Sequence, residues 1–128
     1  MTAVITMVIP VLMSRDVGLS LQFYGKLGFS LDFKDDMQHP RYAGVSRDGV
    51  ALHLQWQEAG HWQNALDRPV YRFAVHNLDT LYDEFARDGA ATPEDVSPWA
   101  KPADTPWGTR EFHVRDQDGN GLQFYAVD

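Results

Sequence analysis

The hydrophobic positions at the start of the chain first follow a strand pattern and then a helical one. Residues 4–12 are rich in β-branched side chains and predict a strand, in which Pro10 has to lie at an edge or a bulge. Ser14 and Asp16 are typical of a helix start. Apolar residues then recur at helical spacing up to Gly28, the expected C-terminal stop; they are Val17, Leu21, Tyr24 and Leu27. The pattern predicts a strand followed by one helix.

Alternation of apolar and polar residues indicates three more strands in the first half. Residues 29–33 alternate in this way and precede a polar turn over residues 35–40. Two further strands, over 42–46 and 50–56, flank the hairpin signal Arg47-Asp48-Gly49. On the last strand, Val50, Leu52 and Leu54 face one way, and Ala51, His53 and Gln55 face the other. The first half therefore has the predicted order strand–helix–strand–strand–strand.

The second half begins after a polar segment over residues 58–68, which we interpret as a linker. A strand over 70–75 precedes a helix that Gly89 closes, with apolar positions at Leu78, Leu81, Tyr82 and Phe85. Four prolines predict loop over much of residues 90–108. The last two predicted strands cover 110–114 and 121–127.

The two halves of the chain form an internal repeat. A shift of 61 residues pairs Asp16 with Asn77 and Gly28 with Gly89. In the final hairpins the shift is 70 residues, which pairs His53 with Gln123. The difference fits an insertion in the proline-rich loop. We therefore predict one domain over 1–128, made of repeat 1 (4–57) and repeat 2 (69–128), because one such unit cannot bury its sheet and helix alone.

Composition narrows the classes of function. The 128 residues contain no cysteine and carry a formal net charge of −7. These values exclude thiolate chemistry and disfavour a nucleic-acid partner, whose phosphates require a basic face. The acidity favours either a cationic ligand or solubility alone. The apolar N-terminus lacks a basic region and a cleavage site, and it ends too early to span a membrane, so we expect a cytoplasmic protein without a membrane partner.

Several local motifs occur within this repeat pattern. They are Ile9-Pro10-Val11-Leu12, Arg15-Asp16-Val17, Phe23-Tyr24, Leu27-Gly28-Phe29, Pro106-Trp107-Gly108, Arg110-Glu111-Phe112, Arg115-Asp116, Asp118-Gly119-Asn120 and Leu122-Gln123-Phe124. With them, the chain resembles the bleomycin-resistance branch of the vicinal oxygen chelate (glyoxalase/bleomycin resistance/dioxygenase) superfamily along its whole length. The resemblance implies an α+β fold, in which two βαβββ repeats form curved mixed sheets around a cleft. It also implies a domain-swapped homodimer with ligand grooves at the interface.

Metal-dependent members of that superfamily place ligands at positions that the resemblance maps to Ile9, His53, Val70 and Gln123. Isoleucine and valine cannot coordinate a metal, and a histidine with one amide oxygen is too small a ligand set. A shifted register is the alternative, since it brings in His76 or His113. We expect no metal, no cofactor and no catalytic residue.

The resemblance and the strand pattern together select candidate ligand residues. His53 and Gln123 are expected in one central cleft, although His53 also fits the wetter face of a half-buried strand. Phe33 is either core or cleft wall, and Asp35 and Asp36 are better explained as a solvated turn. Trp107 is either a stacking platform or a loop anchor. The full predicted set is Asp32, Phe33, His53, Gln55, Trp62, Trp99, Trp107 and Gln123.

These observations favour binding over catalysis. The sequence shows neither a nucleophile elbow nor a glycine-rich phosphate loop. The leading hypothesis is non-catalytic sequestration of a cationic glycopeptide antibiotic of the bleomycin type. The alternatives are a metal-dependent lyase, isomerase or dioxygenase on the same fold, and a binder of another small metabolite.

Overall fold

The element order repeats once along the chain. The computed structural model describes residues 2–58 and 69–128. The first repeat contains β1 (Val11–Ser14), α1 (Val17–Lys26), β2 (Ser30–Lys34), β3 (Tyr42–Arg47) and β4 (Val50–Trp56). The second contains β5 (Val70–Val75), α2 (Leu78–Arg87), β6 (Ala103–Asp104), β7 (Arg110–Arg115) and β8 (Gly121–Ala126).

Each repeat forms a four-stranded mixed sheet. The strand orders are β1-β4-β3-β2 and β5-β8-β7-β6. The first strand of each sheet runs parallel to the last strand of its repeat, and the other pairs are antiparallel. One helix accompanies each sheet, so the predicted α+β class is confirmed.

The predicted strand over residues 4–12 is wrong in its position. Residues 2–10 form no strand in the structure, and β1 starts at Val11. The register pairs Val11 with His53, so residue 8 aligns with Val50, the first residue of β4. Residues 4–7 therefore extend past Val50, the start of β4, and have no partner strand among residues 2–58 and 69–128. Ile5 is 94% exposed, and its apolar neighbours are exposed as well.

Local chemistry explains where α1 and the β2–β3 hairpin begin and end. The Asp16 carboxylate accepts a hydrogen bond from the Leu19 amide and caps α1. Gly28 ends that helix with φ of 84°, a conformation that glycine adopts without steric cost. A register shift between Leu31 and Phe33 marks a β-bulge in β2.

One hydrophobic core spans both repeats. It lies between the sheets and the helices, where β4 supplies Leu52 and Leu54, and β8 supplies Leu122 and Phe124. Alternation along the strands then directs the intervening side chains to the opposite side of each sheet. We call that side the open face, because neither α1 nor α2 packs on it.

The β7–β8 turn joins the two repeats. The Tyr24 hydroxyl donates to Asp116 at 2.8 Å, and Asn120 donates to the Met13 carbonyl at 2.9 Å. The Arg15 guanidinium contacts the buried Asp118 carboxylate at 3.0 Å. Burial raises the pKa of the Asp116 carboxyl in spite of the hydrogen bonds from Asn120 and Tyr24. The acidic side chains of the β7–β8 turn therefore hold the second repeat against the first.

Across the described ranges 2–58 and 69–128, no helix has the length and apolar character needed to cross a membrane.

Candidate functional site

The open face of the first sheet carries an aromatic cluster. Phe33 lies parallel to Tyr42, with ring centroids 6.1 Å apart and planes inclined by 20°. His53 contacts both rings edge-on, at 5.2 Å from Phe33 and 5.3 Å from Tyr42. The Tyr42 hydroxyl forms a 2.7 Å hydrogen bond with Nδ1 of His53. We call these three residues the first aromatic cluster. Phe33 remains 45% exposed, which leaves one face of the cluster open to a ligand.

A glycine makes the Phe33 position possible. Phe33 pairs with Gly44 on β3, and a Cβ atom on Gly44 would lie 2.2 Å from Cε1 of Phe33. Only hydrogen in place of a side chain lets the phenyl ring cross the strand here. The sequence analysis did not select Tyr42 or Gly44. The antiparallel register puts both on the face that carries His53, and the alternation along residues 42–46 was the available signal.

The structure also places the other first-repeat candidates. The Asp32 carboxylate accepts a hydrogen bond from the Ser46 hydroxyl at 2.9 Å, beside the β-bulge. Gln55 pairs with Tyr42 and Met13 at the exposed end of β4. The Asp35 carboxylate accepts the amides of Arg41 and Tyr42, which lowers its pKa. That contact supports the interpretation of the 35–40 segment as a solvated turn.

The open face of the second sheet is built on a buried carboxylate. Glu111 is 0% exposed and lies on β7. It accepts hydrogen bonds from four side chains: Arg72, Trp107, Thr109 and His113. Burial alone raises the pKa of Glu111, but these hydrogen bonds favour the charged form more strongly and hold the pKa at about 2.

Two tryptophans, Trp99 and Trp107, pack next to each other beside the Glu111 carboxylate. Trp99 contacts Trp107 with ring centroids 5.6 Å apart, and it contacts the His113 ring at 5.5 Å. The Trp107 indole N–H donates to Glu111 at 3.1 Å, while 58% of the residue stays exposed. We call Trp99, Trp107 and His113 the second aromatic cluster. The predicted candidate Trp62 lies outside the described residues.

Gln123 belongs to the second sheet and has a partner that the sequence analysis missed. The Arg72 guanidinium donates to the Gln123 amide oxygen at 2.7 Å and also stacks on the Tyr125 ring at 4.5 Å. His53 has its contacts within the first sheet. In the parts of the chain that the structure describes, no hydrogen bond or ring contact joins His53 to Gln123.

The strand register pairs Val11 with His53 and Arg72 with Gln123, whereas Ile9 and Val70, the positions that the resemblance maps, lie two residues earlier in the chain. An aliphatic side chain and a guanidinium are not metal ligands. Nε2 of His113 binds Glu111, and His76 lies near Asp128. Among residues 2–58 and 69–128, no three His, Asp or Glu side chains cluster in a way that could hold a metal.

A separate cavity of about 510 Å³ lies between the repeats. Apolar side chains such as Phe29, Phe73 and Phe85 line it, and Arg47 and Glu84 lie at its edge. Those two charges neutralise each other, with Nη1 2.6 Å from Oε2. None of the predicted ligand residues that the structure describes lines this cavity. The open faces combine exposed rings with polar groups, and they carry the seven predicted ligand residues that the structure describes.

The comparisons with known proteins agree with this fold. The family model described as the Glyoxalase/Bleomycin resistance protein/Dioxygenase superfamily matches residues 6–124. No curated protein matches the chain.

Solved structures give a more detailed comparison. A bleomycin-binding protein from bleomycin-producing Streptomyces verticillus, complexed with copper(II)-bleomycin, is 32% identical with a TM-score of 0.74. The alignment covers 99% of this chain and 100% of that one. Another bleomycin-binding protein, complexed with bleomycin, is 21% identical with a TM-score of 0.79, covering 97% and 100% of the two chains. A bleomycin resistance determinant encoded on transposon Tn5 is 19% identical with a TM-score of 0.76, covering 95% and 98%.

Proposed function

We propose that this chain, which belongs to the glyoxalase/bleomycin resistance protein/dioxygenase superfamily, binds a cationic glycopeptide of the bleomycin type and sequesters it without chemical change. The observation that carries the proposal is the pair of exposed aromatic clusters on the open sheet faces. The relative that is 32% identical over nearly the whole chain was solved with copper(II)-bleomycin, and this supports the ligand class.

The chemistry of the two clusters suits a long, planar and cationic ligand. Flat heteroaromatic groups stack on rings such as Trp107 and Phe33, where apolar contact and ring geometry both contribute. Asp32 lies next to Phe33, and its carboxylate attracts a cationic end of the ligand. The net charge of −7 steers cations toward the protein in the same sense. His53, Gln55 and Gln123 supply hydrogen bonds that fix the orientation of the ligand.

The proposed binding groove lies between two copies of the chain. In this arrangement the first aromatic cluster of one copy faces the second aromatic cluster of the other, and two equivalent grooves form. The exposed segment over residues 2–8, with its apolar side chains, supports such a dimer, because a second copy gives it the strand partner that it lacks among the described residues of its own chain. Exchange of this segment would make the dimer domain-swapped.

Calorimetry with metal-free and copper-loaded bleomycin tests the proposal. We expect saturable binding with one ligand per chain. The variant Trp107→Ala should weaken binding by about tenfold or more, as removal of a central aromatic anchor does. Trp56→Ala is the matched control, since Trp56 packs under Arg41 at the end of β4 and outside both clusters.

The absence of heat with either form of the drug would refute the proposed ligand. A screen with Ni²⁺, Mn²⁺ and Zn²⁺ would then separate the enzyme alternative from a binder of another metabolite. Saturable metal binding would favour the enzyme.

A further inference from the structure

Glu111 occupies an unusual place for a charged residue. It lies on an open sheet face whose neighbouring side chains, such as Arg72, His113 and Gln123, are exposed or half-buried, yet no part of it reaches solvent. An ionised carboxylate in such a place is costly unless donors surround it. Here the donors come from three parts of the chain: Arg72 on β5, Trp107 and Thr109 in the segment before β7, and His113 on β7.

Each donor except Thr109 also contributes a ring or a planar group to the open face. The Trp107 indole N–H points at Oε1 of Glu111, and Nε2 of His113 points at Oε2. Trp99 packs on both of those rings. Arg72 is held by the same carboxylate and extends to the Gln123 side chain. One buried group therefore contacts two members of the second aromatic cluster, Trp107 and His113, and the third member, Trp99, packs on those two rings.

Oriented rings matter for binding, because a side chain that is mobile in the free protein has to be ordered when the ligand binds. Trp107 is 58% exposed and follows Pro106 in a loop, so few contacts other than Glu111 fix its indole edge. A group that holds a contact residue in place commonly affects affinity without touching the ligand.

We infer that Glu111 is a positioning residue for the ligand site, which acts by holding Trp107, His113 and Arg72 in the orientation that receives a planar ligand. It does not contact the ligand, since it is fully covered by those side chains. The inference rests on the proposed function for its link to affinity, whereas the ordering of the rings belongs to the free protein.

The test uses Glu111→Gln in the full chain. The amide keeps the shape of the side chain but turns one oxygen into a donor, which opposes the surrounding N–H groups. We expect metal-free bleomycin to bind about tenfold more weakly, from the lost ordering of the two rings. Asp79→Asn is the control, because it removes the ion pair between Asp79 and Arg110. Arg110 directly precedes Glu111 on β7, and its side chain points to the face opposite the open face. That variant should bind like the parent.

A second readout needs no ligand. In ¹H–¹⁵N spectra, the indole proton of Trp107 should resonate downfield because it is hydrogen-bonded to a carboxylate. Among the indole signals of the described tryptophans, Glu111→Gln should shift that of Trp107 the most. Thr109→Val is the milder variant if Glu111→Gln does not fold. It removes one donor to Glu111 and should shift the same signal less, with a severalfold loss of affinity.

The outcomes separate the two proposals. A folded Glu111→Gln chain that binds bleomycin as tightly as the parent, with an unchanged Trp107 signal, overturns the positioning role. A parent chain that binds no bleomycin, but whose Trp107 signal depends on Glu111, contradicts the proposed ligand and supports the positioning role. Weaker binding by Glu111→Gln but not by Asp79→Asn supports both.

Discussion

The buried carboxylate of Glu111 makes a quantitative prediction about folding stability and pH. The pKa of this group is about 2 in the folded chain, compared with 4.5 for an ordinary glutamate. A shift of about 2.5 pKa units corresponds to about 3 kcal/mol of stability at neutral pH. Because the folded pKa is lowered, this stability is fully present above pH 4.5 and is lost as the pH falls toward 2.

Glu111→Gln removes the titrating carboxyl group and therefore the pH-dependent contribution of this group to the unfolding free energy. The difference in unfolding free energy between the parent and this variant should shrink by about 3 kcal/mol from pH 6 to pH 2. Urea unfolding followed by circular dichroism measures it at each pH, and the other acidic groups cancel in the subtraction. The raised pKa of Asp116, which acts in the opposite sense, cancels in the same way.

The matched control is Glu94→Gln, since Glu94 is 72% exposed and pairs with Lys101 at the surface. An exposed pair of this kind contributes about 0–1 kcal/mol, so this difference should stay small at every pH. A difference in unfolding free energy between the parent and Glu111→Gln that does not change with pH would refute the reasoning. The Glu111 carboxylate would then have the same pKa in the folded and unfolded chain.

Two further changes test the inter-repeat contact and the first aromatic cluster. Tyr24→Phe should lower the unfolding free energy by about 1–3 kcal/mol, because the buried Asp116 carboxylate loses a donor; denaturant titration measures it. Gly44→Ala should displace Phe33 and weaken bleomycin binding, which calorimetry measures. Gly25→Ala is the control, because the space around its added Cβ atom is open. It should leave binding unchanged and stabilise α1 by about 0.5–1 kcal/mol. Equal affinities of the two alanine variants would contradict the role of Gly44.

The sequence predicted those features that depend on local pattern. Asp16 begins α1 and Gly28 ends it, because a cap and a left-handed glycine act within a few residues. Phe33 and His53 were selected from the strand pattern together with the family resemblance, and the structure brings them into ring contact. Trp99 and Trp107 were selected separately and also meet.

Features that depend on tertiary register were missed. The extent of β1 could not be read from residues 4–12, because it depends on pairing with β4: residues 4–7 lie beyond Val50, and Pro10 has no backbone N–H to donate. Arg72 was overlooked, since only the parallel pairing of β5 with β8 brings it to Gln123. The burial of Glu111 could not be predicted from the sequence, because its donors are distant in sequence or lie in a loop.

Titration of the ¹⁵N-labelled chain with metal-free bleomycin tests the central claim most directly, because each tryptophan indole reports on its own surroundings. The account predicts saturable shifts of the Trp99 and Trp107 signals at one ligand per chain, with the Trp56 signal unchanged. Saturable binding that shifts Trp56 but leaves Trp99 and Trp107 unchanged, or no shift at all, would contradict it.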